Sequence, residues 1–267
     1  MNSLGGFTKF ANQESIEVIN YSKKSTNSGM ISPGGNIFVN SFNSLNSLIS
    51  LEGAINSPRK INHFSGLKLT DIINISEDFN DLVFTHFATI HRLTKETNSE
   101  MYYAFSPSKV FNNEQNFILE PGDKIKFYTK DEVSRLLKFF IKSPNSITPD
   151  ISLNKNPGKI LSSAGSVGEL VRRLTIGIEG SVVRPALYLI AGNYTFKEII
   201  EIAGGFTKLA DQQNINLLEP FLDTKNNFDL VSININYTNI KDLKKLISPG
   251  SFINVATSNS DLSLGTV

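Results

Sequence analysis

The sequence predicts an α+β fold built from one small unit, a β-hairpin followed by a helix and further strands, repeated in tandem along the chain. Three observations predict it: short words recur at fixed offsets, β-rich segments with period-two alternation flank a single helical stripe, and Pro-Gly pairs punctuate the strands. Gly5-Gly6-Phe7-Thr8-Lys9 returns as Gly204-Gly205-Phe206-Thr207-Lys208, and Ala11, Gln13 and Ile16 continue without a gap as Ala210, Gln212 and Ile215. Ile31-Ser32-Pro33-Gly34 returns as Ile247-Ser248-Pro249-Gly250 and, more loosely, as Leu119-Glu120-Pro121-Gly122. Leu51-Glu52-Gly53 through Pro58 aligns with Ile178-Glu179-Gly180 through Pro185, and the 26 residues from Gly53 to Phe79 equal those from Gly180 to Phe206. The chain therefore reads as three copies, 1–40 (the back half of a unit only), 47–130 and 173–257, with a connector at 131–172 and a tail at 258–267.

The third copy is the cleanest. Leu174 to Val183 is β-rich and reads as a strand; Arg184-Pro185 turns the chain, because proline fixes φ and lacks a ladder donor, and Leu187 to Ile190 returns as the second strand. Thr195 and Glu198 are spaced as a capping box, and Phe196, Ile199, Ile200 and Ala203 form one buried stripe, ended by Gly204-Gly205. Ile215 to Leu218 and Leu230 to Tyr237 follow as strands, and Pro249-Gly250 turns into a closing strand, Phe252 to Val255. Hairpin, helix, then strands over that helix make a small roll of the β-grasp (ubiquitin-like) type.

In the second copy Leu69, Ile72 and Ile73 keep the stripe. Lys68 replaces the capping threonine, and Glu77-Asp78 replace the double glycine, which predicts a changed helix exit. Pro58 and Gly122 mark its turns, while Gly5 and Gly6 mark the helix stop in the first copy. In the connector, Asp131 to Lys142 reads as an amphipathic helix and Ser143 to Gly168 as an irregular linker.

Composition narrows the function. The 267 residues carry 26 Lys and Arg against 25 Asp and Glu, so no basic surplus favours nucleic acid. There is no cysteine for a disulfide, a thiolate metal site or a nucleophile. His63, His86 and His91 are the three histidines; His86 and His91 point to opposite faces of a strand and make a poor metal cage. Gly165-Ser166-Val167-Gly168 lacks the Lys-Ser/Thr of a phosphate loop. Glu77, Asp78 and Asp81 read as a solvated corner rather than a catalytic pair or calcium site, and Lys241, Lys244 and Lys245 as ordinary surface or inter-subunit contacts. No apolar run is long enough to span a bilayer, and no basic-then-apolar leader opens the chain.

Glu179 to Tyr188, Thr195 to Thr207 and Ser248-Pro249-Gly250 together resemble the bacterial outer-membrane polysaccharide export proteins, specifically their soluble-ligand-binding β-grasp (SLBB) repeats. The resemblance covers everything but the connector. Three departures stand out: Ala186 occupies the place of the family's glycine after proline, the family's N-terminal export domain, signal and lipidated cysteine are missing, and copy one lacks its hairpin and helix. The expectation is that Met1 is not the natural start.

The resemblance implies a periplasmic and outer-membrane component of a capsule or exopolysaccharide export channel. Its partners would be copies of itself in a ring homo-oligomer, the polysaccharide, and an inner-membrane chain-length-regulating protein. No nucleic acid, cofactor, metal or catalysis is expected. Arg184, Tyr188, Arg172 and Arg173 are the candidate ligand or subunit contacts, since tyrosine offers a sugar both an apolar face and a polar tip. The alternatives are a sugar- or ligand-binding module that does not assemble and, less compatible with the residues, a polysaccharide-modifying enzyme.

Overall fold

The computed structural model describes residues 11–19, 36–41, 48–94, 99–141, 163–222 and 228–258. Gly5, Gly6 and the tail beyond Ser258 lie outside them, as do 142–162 of the connector. Two mixed sheets dominate, each with a helix-bearing face.

The first sheet uses β3 (Leu48–Gly53), β4 (Arg59–Asn62), β5 (Val83–Thr94), β6 (Ser99–Phe105), β7 (Lys124–Thr129) and β8 (Ser163–Ala164), in the order β4-β3-β7-β5-β6-β8. The second uses β9 (Thr175–Gly180), β10 (Ala186–Leu189), β11 (Ala210–Leu222), β12 (Phe228–Ile235) and β13 (Phe252–Thr257), in the order β10-β9-β13-β11-β12. Each contains one parallel pair, β3 with β7 and β9 with β13, placing Gly53 beside Phe127 and Gly180 beside Val255. Preceding them, β1 (Ala11–Ile19) and β2 (Asn36–Ser41) form a separate antiparallel pair.

The correspondence extends to an irregularity. The register shifts between Ala11 and Ile16 in β1, between Val83 and Ala88 in β5, and between Ala210 and Ile215 in β11. In all three the partner strand advances two residues while this one advances five, the signature of a bulge that bends the strand. Gly53 and Gly180 have φ of +86° and +82°, and a Cβ on either would lie 2.0 and 2.1 Å from the carbonyl oxygens of Phe127 and Val255. Only glycine fits there.

Under the second sheet, α6 (Phe196–Ile202) buries Phe196, Ile199 and Ile200, with Ala203 behind them, against Ile176, Ile178, Ile215, Leu217, Ile253 and Val255. Thr195 Oγ1 accepts from the Glu198 N–H at 3.3 Å while Glu198 Oε2 accepts from the Thr195 N–H at 2.8 Å. Gly204 and Gly205, both at φ +84°, return their N–H groups to Glu201 and Ile200 and close the helix.

Under the first sheet the helix is divided. α1 (Leu69–Ile72) supplies Leu69 and Ile72 to the core, and a second turn, α2 (Ile75–Asp78), follows. The exit is held by charge: Asp78 is 2 % exposed and takes both guanidinium nitrogens of Arg59 and the N–H of Asn74. The solvated acidic corner expected at Glu77, Asp78 and Asp81 is thus corrected at Asp78, whose charge is paired inside the fold. Burial pushes its carboxyl up, but the Arg59 and Asn74 hydrogen bonds and the Arg59 charge outweigh this and hold it below the usual range.

The connector also needs correction. Helix α4 (Lys130–Phe140) occupies its start, but Ser163–Ala164 is a strand pairing with Tyr102 and Tyr103, and α5 (Val167–Leu174) ends in Leu174, where the sequence suggested a strand. With β8 as the sheet's edge strand, α4 and α5 cover the back of the first sheet, burying Phe87, Ala104, Tyr128, Val133, Leu170 and Val171 in a third core that also takes Leu189 and Ala191 from the second unit. No helix among the described residues is long and apolar enough to cross a membrane.

Candidate functional site

Two regions concentrate polar chemistry, the corner at the exit of α6 and the seam between the units. At the corner, Val183 and Arg184 donate their backbone N–H groups to Gly205 and Ala203, both at 2.9 Å, pinning the β9–β10 turn against the end of the helix. Arg184 Nη2 donates to the Ile202 carbonyl at 2.9 Å, so the cation meets the negative end of the helix. The Tyr188 hydroxyl donates to the Arg184 carbonyl. Burial pushes that hydroxyl up, and the hydrogen bond to Arg184 and its charge only partly offset it. The structure thus brings Arg184 and Tyr188 together, with Arg184, Pro185 and Ala186 exposed and the Tyr188 ring half-buried against the core.

Arg172 and Arg173 belong to α5 instead. Arg173 pairs with Glu169 and donates to the Ser163 carbonyl at 2.9 Å, tying the helix to β8. The Arg172 guanidinium carbon lies 6.0 Å from the centre of the Phe140 ring. Both arginines are engaged in the α4–α5 layer, on a helix that the sequence reading did not assign.

The seam was not foreseen from the sequence. Tyr194, just before α6, places its hydroxyl 2.7 Å from Ser106 Oγ, 3.0 Å from Ser108 Oγ and 3.0 Å from His86 Nδ1. Ser106 and Pro107 open α3 (Pro107–Phe111) of the first unit, and His86 lies on β5. Lys109, also on α3 and 5 % exposed, donates to Glu114 at 2.6 Å and to Glu198 across the seam, with its Nζ 4.6 Å from the centre of the Tyr194 ring. Ala191 donates its N–H to the His86 carbonyl at 2.8 Å.

These side chains tune one another. Burial drives the His86 imidazole down to about 4, with the Lys109 charge adding to the effect and Glu198 opposing it. Burial also pulls Lys109 down, yet Glu114 and Glu198 outweigh it and raise it above its usual value. Glu198 is held low because Lys109 and Thr195 outweigh its desolvation. A neutral imidazole, a hydroxyl and a compensated ion pair make a polar lock, not a proton relay. Only Glu198 carried a local sequence signal; Lys109 reaches Glu198 across 89 residues of chain and His86 reaches Tyr194 across 108, separations no motif records.

No group of three or more potential metal ligands converges among the described residues. His91 is stacked on Tyr102 at 4.6 Å, and His63 Nε2 lies 2.9 Å from the Leu119 carbonyl, so neither histidine joins His86.

No curated protein matches the chain. The family model of the SLBB domain, the soluble-ligand-binding β-grasp unit, matches residues 175–223, the stretch that runs from β9 through the Arg184–Tyr188 corner and α6 to the end of β11.

Proposed function

We propose that this chain is a component of a bacterial polysaccharide export apparatus, working in the periplasm and outer membrane as non-catalytic β-grasp modules that line a passage for capsule or exopolysaccharide. The observation that carries the reading is the SLBB match at 175–223 together with a second sheet of the same order at 48–129, down to the glycine pressed against a neighbouring carbonyl and the bulge five residues long. In this reading both sheets, and the β1–β2 pair, are copies of one duplicated unit. Copies of the chain close a ring, and an inner-membrane chain-length regulator delivers the glycan. The exposed turn at Arg184–Ala186 and the Tyr188 edge are the surface through which a module would meet glycan or a neighbouring subunit.

The test pairs assembly with transport. Light scattering after size exclusion on the full-length protein from its native membrane fraction should give a closed oligomer, and deletion of the gene should abolish surface polysaccharide. A strictly monomeric protein whose loss leaves surface polysaccharide intact overturns the proposal. A second reading, an SLBB module that binds a soluble ligand without assembling, is favoured by the domain match alone, and saturable binding to a monomer would select it.

A further inference from the structure

We propose that the groove between α4 and β7 is a binding site for an acidic saccharide, with aromatic rings as the platform and cations along the rim. The groove is open and encloses about 640 Å³, within the size range of small-molecule sites. Its lining joins Lys126 and Tyr128 of β7 to Arg135, Lys138, Phe139 and Phe140 of α4.

The platform is built rather than incidental. Phe140 is wedged against Gly168 of α5, where an added Cβ would come within 2.4 Å of the ring. Phe139 meets it edge to face at 4.8 Å but remains 73 % exposed, the most exposed large apolar side chain among the described residues. The two rings, both lining the groove, give it an aromatic wall. Tyr128 closes the floor, with the Lys126 ammonium 4.9 Å from its ring centre.

Charge complementarity selects the ligand. Glu132 also lines the groove and partly compensates Lys126 at 3.8 Å, whereas Arg135 and Lys138 have no ion-pair partner among the described residues. Two uncompensated cations beside flat apolar faces fit a ring that presents C–H bonds to an aromatic face and carboxylates at its edge, which is a uronic acid. Choosing a sugar acid over another ring-bearing anion rests on the export reading; the groove and its charges do not.

The test is calorimetric titration of the full chain with oligogalacturonate, neutral oligodextran, poly-glutamate and ATP. Oligogalacturonate should bind, more weakly as salt rises, and the others should not. Replacing Arg135 and Lys138 together by glutamine should weaken binding about tenfold. Phe139→Ala, which removes an exposed ring and leaves the core intact, should weaken it without changing the salt dependence. Absence of oligogalacturonate binding, equal binding of oligodextran, or preference for poly-glutamate or ATP would each overturn the assignment. None of these outcomes bears on ring assembly or surface polysaccharide, so failure here is separable from failure of the export reading.

Discussion

Acidification from pH 8 to pH 5 should weaken the seam between the two units through one residue. His86 titrates at about 4 in the folded chain and near 6.5 when unfolded. Its folded value is depressed, so between those two pH values the unfolded chain binds the proton first and stability falls as the pH falls. At pH 5 the loss amounts to about 2 kcal/mol, growing to roughly 3.4 kcal/mol below pH 4, where both states are protonated and the loss stops growing. Lys109 stays charged throughout because its partners raise it, and the stabilisation from the lowered carboxyl of Glu198 is lost only at more acid pH. Urea unfolding of the wild type and of His86→Gln at pH 8, 6.5 and 5 isolates the effect. The wild type should lose about 2 kcal/mol more than the variant between pH 8 and pH 5. Equal losses would refute the assignment of a neutral, desolvated imidazole to the seam.

Two further expectations concern the backbone and the first unit's helix exit. Gly180→Ala forces a Cβ to within 2.1 Å of the Val255 carbonyl at positive φ and should cost about 3 kcal/mol or more by urea midpoint. Gly205→Ala, with the same φ but nothing within 4 Å, should cost only about 1 kcal/mol; equal costs would show that the close approach contributes nothing. Arg59→Met should destabilise by about 3 kcal/mol, because Asp78 is left buried with only part of its partners. Arg59→Met with Asp78→Asn should recover much of that, and thermal melts showing no recovery would disprove the charge argument.

Legibility followed the range of the interactions. Helix α6 could be read closely, since its cap, its stripe and its stop all lie within eleven residues of one another, from Thr195 to Gly205. The matched words around Gly53 and Gly180 marked two sites of the same close approach. Helix α5 was missed although its signal was present: Ser166 stands three residues before Glu169, and its hydroxyl caps the Glu169 N–H at 3.2 Å. The surrounding glycine and serine hid it, because those residue types favour irregular chain when nothing covers them. The burial of Asp78 depends on Arg59, 19 residues away, and the lock at Tyr194 on partners further still. Of the candidate contacts, Arg184 and Tyr188 proved to be neighbours because a shared turn holds them, whereas the helix that carries Arg172 and Arg173 was not anticipated.

One consequence of the second sheet's strand order concerns fragments. The SLBB match ends at residue 223, yet β9 and β11 do not pair with each other; β13, beginning at Phe252, runs between them and bonds to both. A piece cut at the end of the recognised stretch would be an arch without its keystone, two ribbons about 9.6 Å apart with open donors and acceptors facing each other. Such a gap invites any free ribbon of fitting register, including the same ribbon from another molecule. Truncations that stop short of Thr257 are therefore expected to swap or aggregate rather than to yield a minimal binding unit.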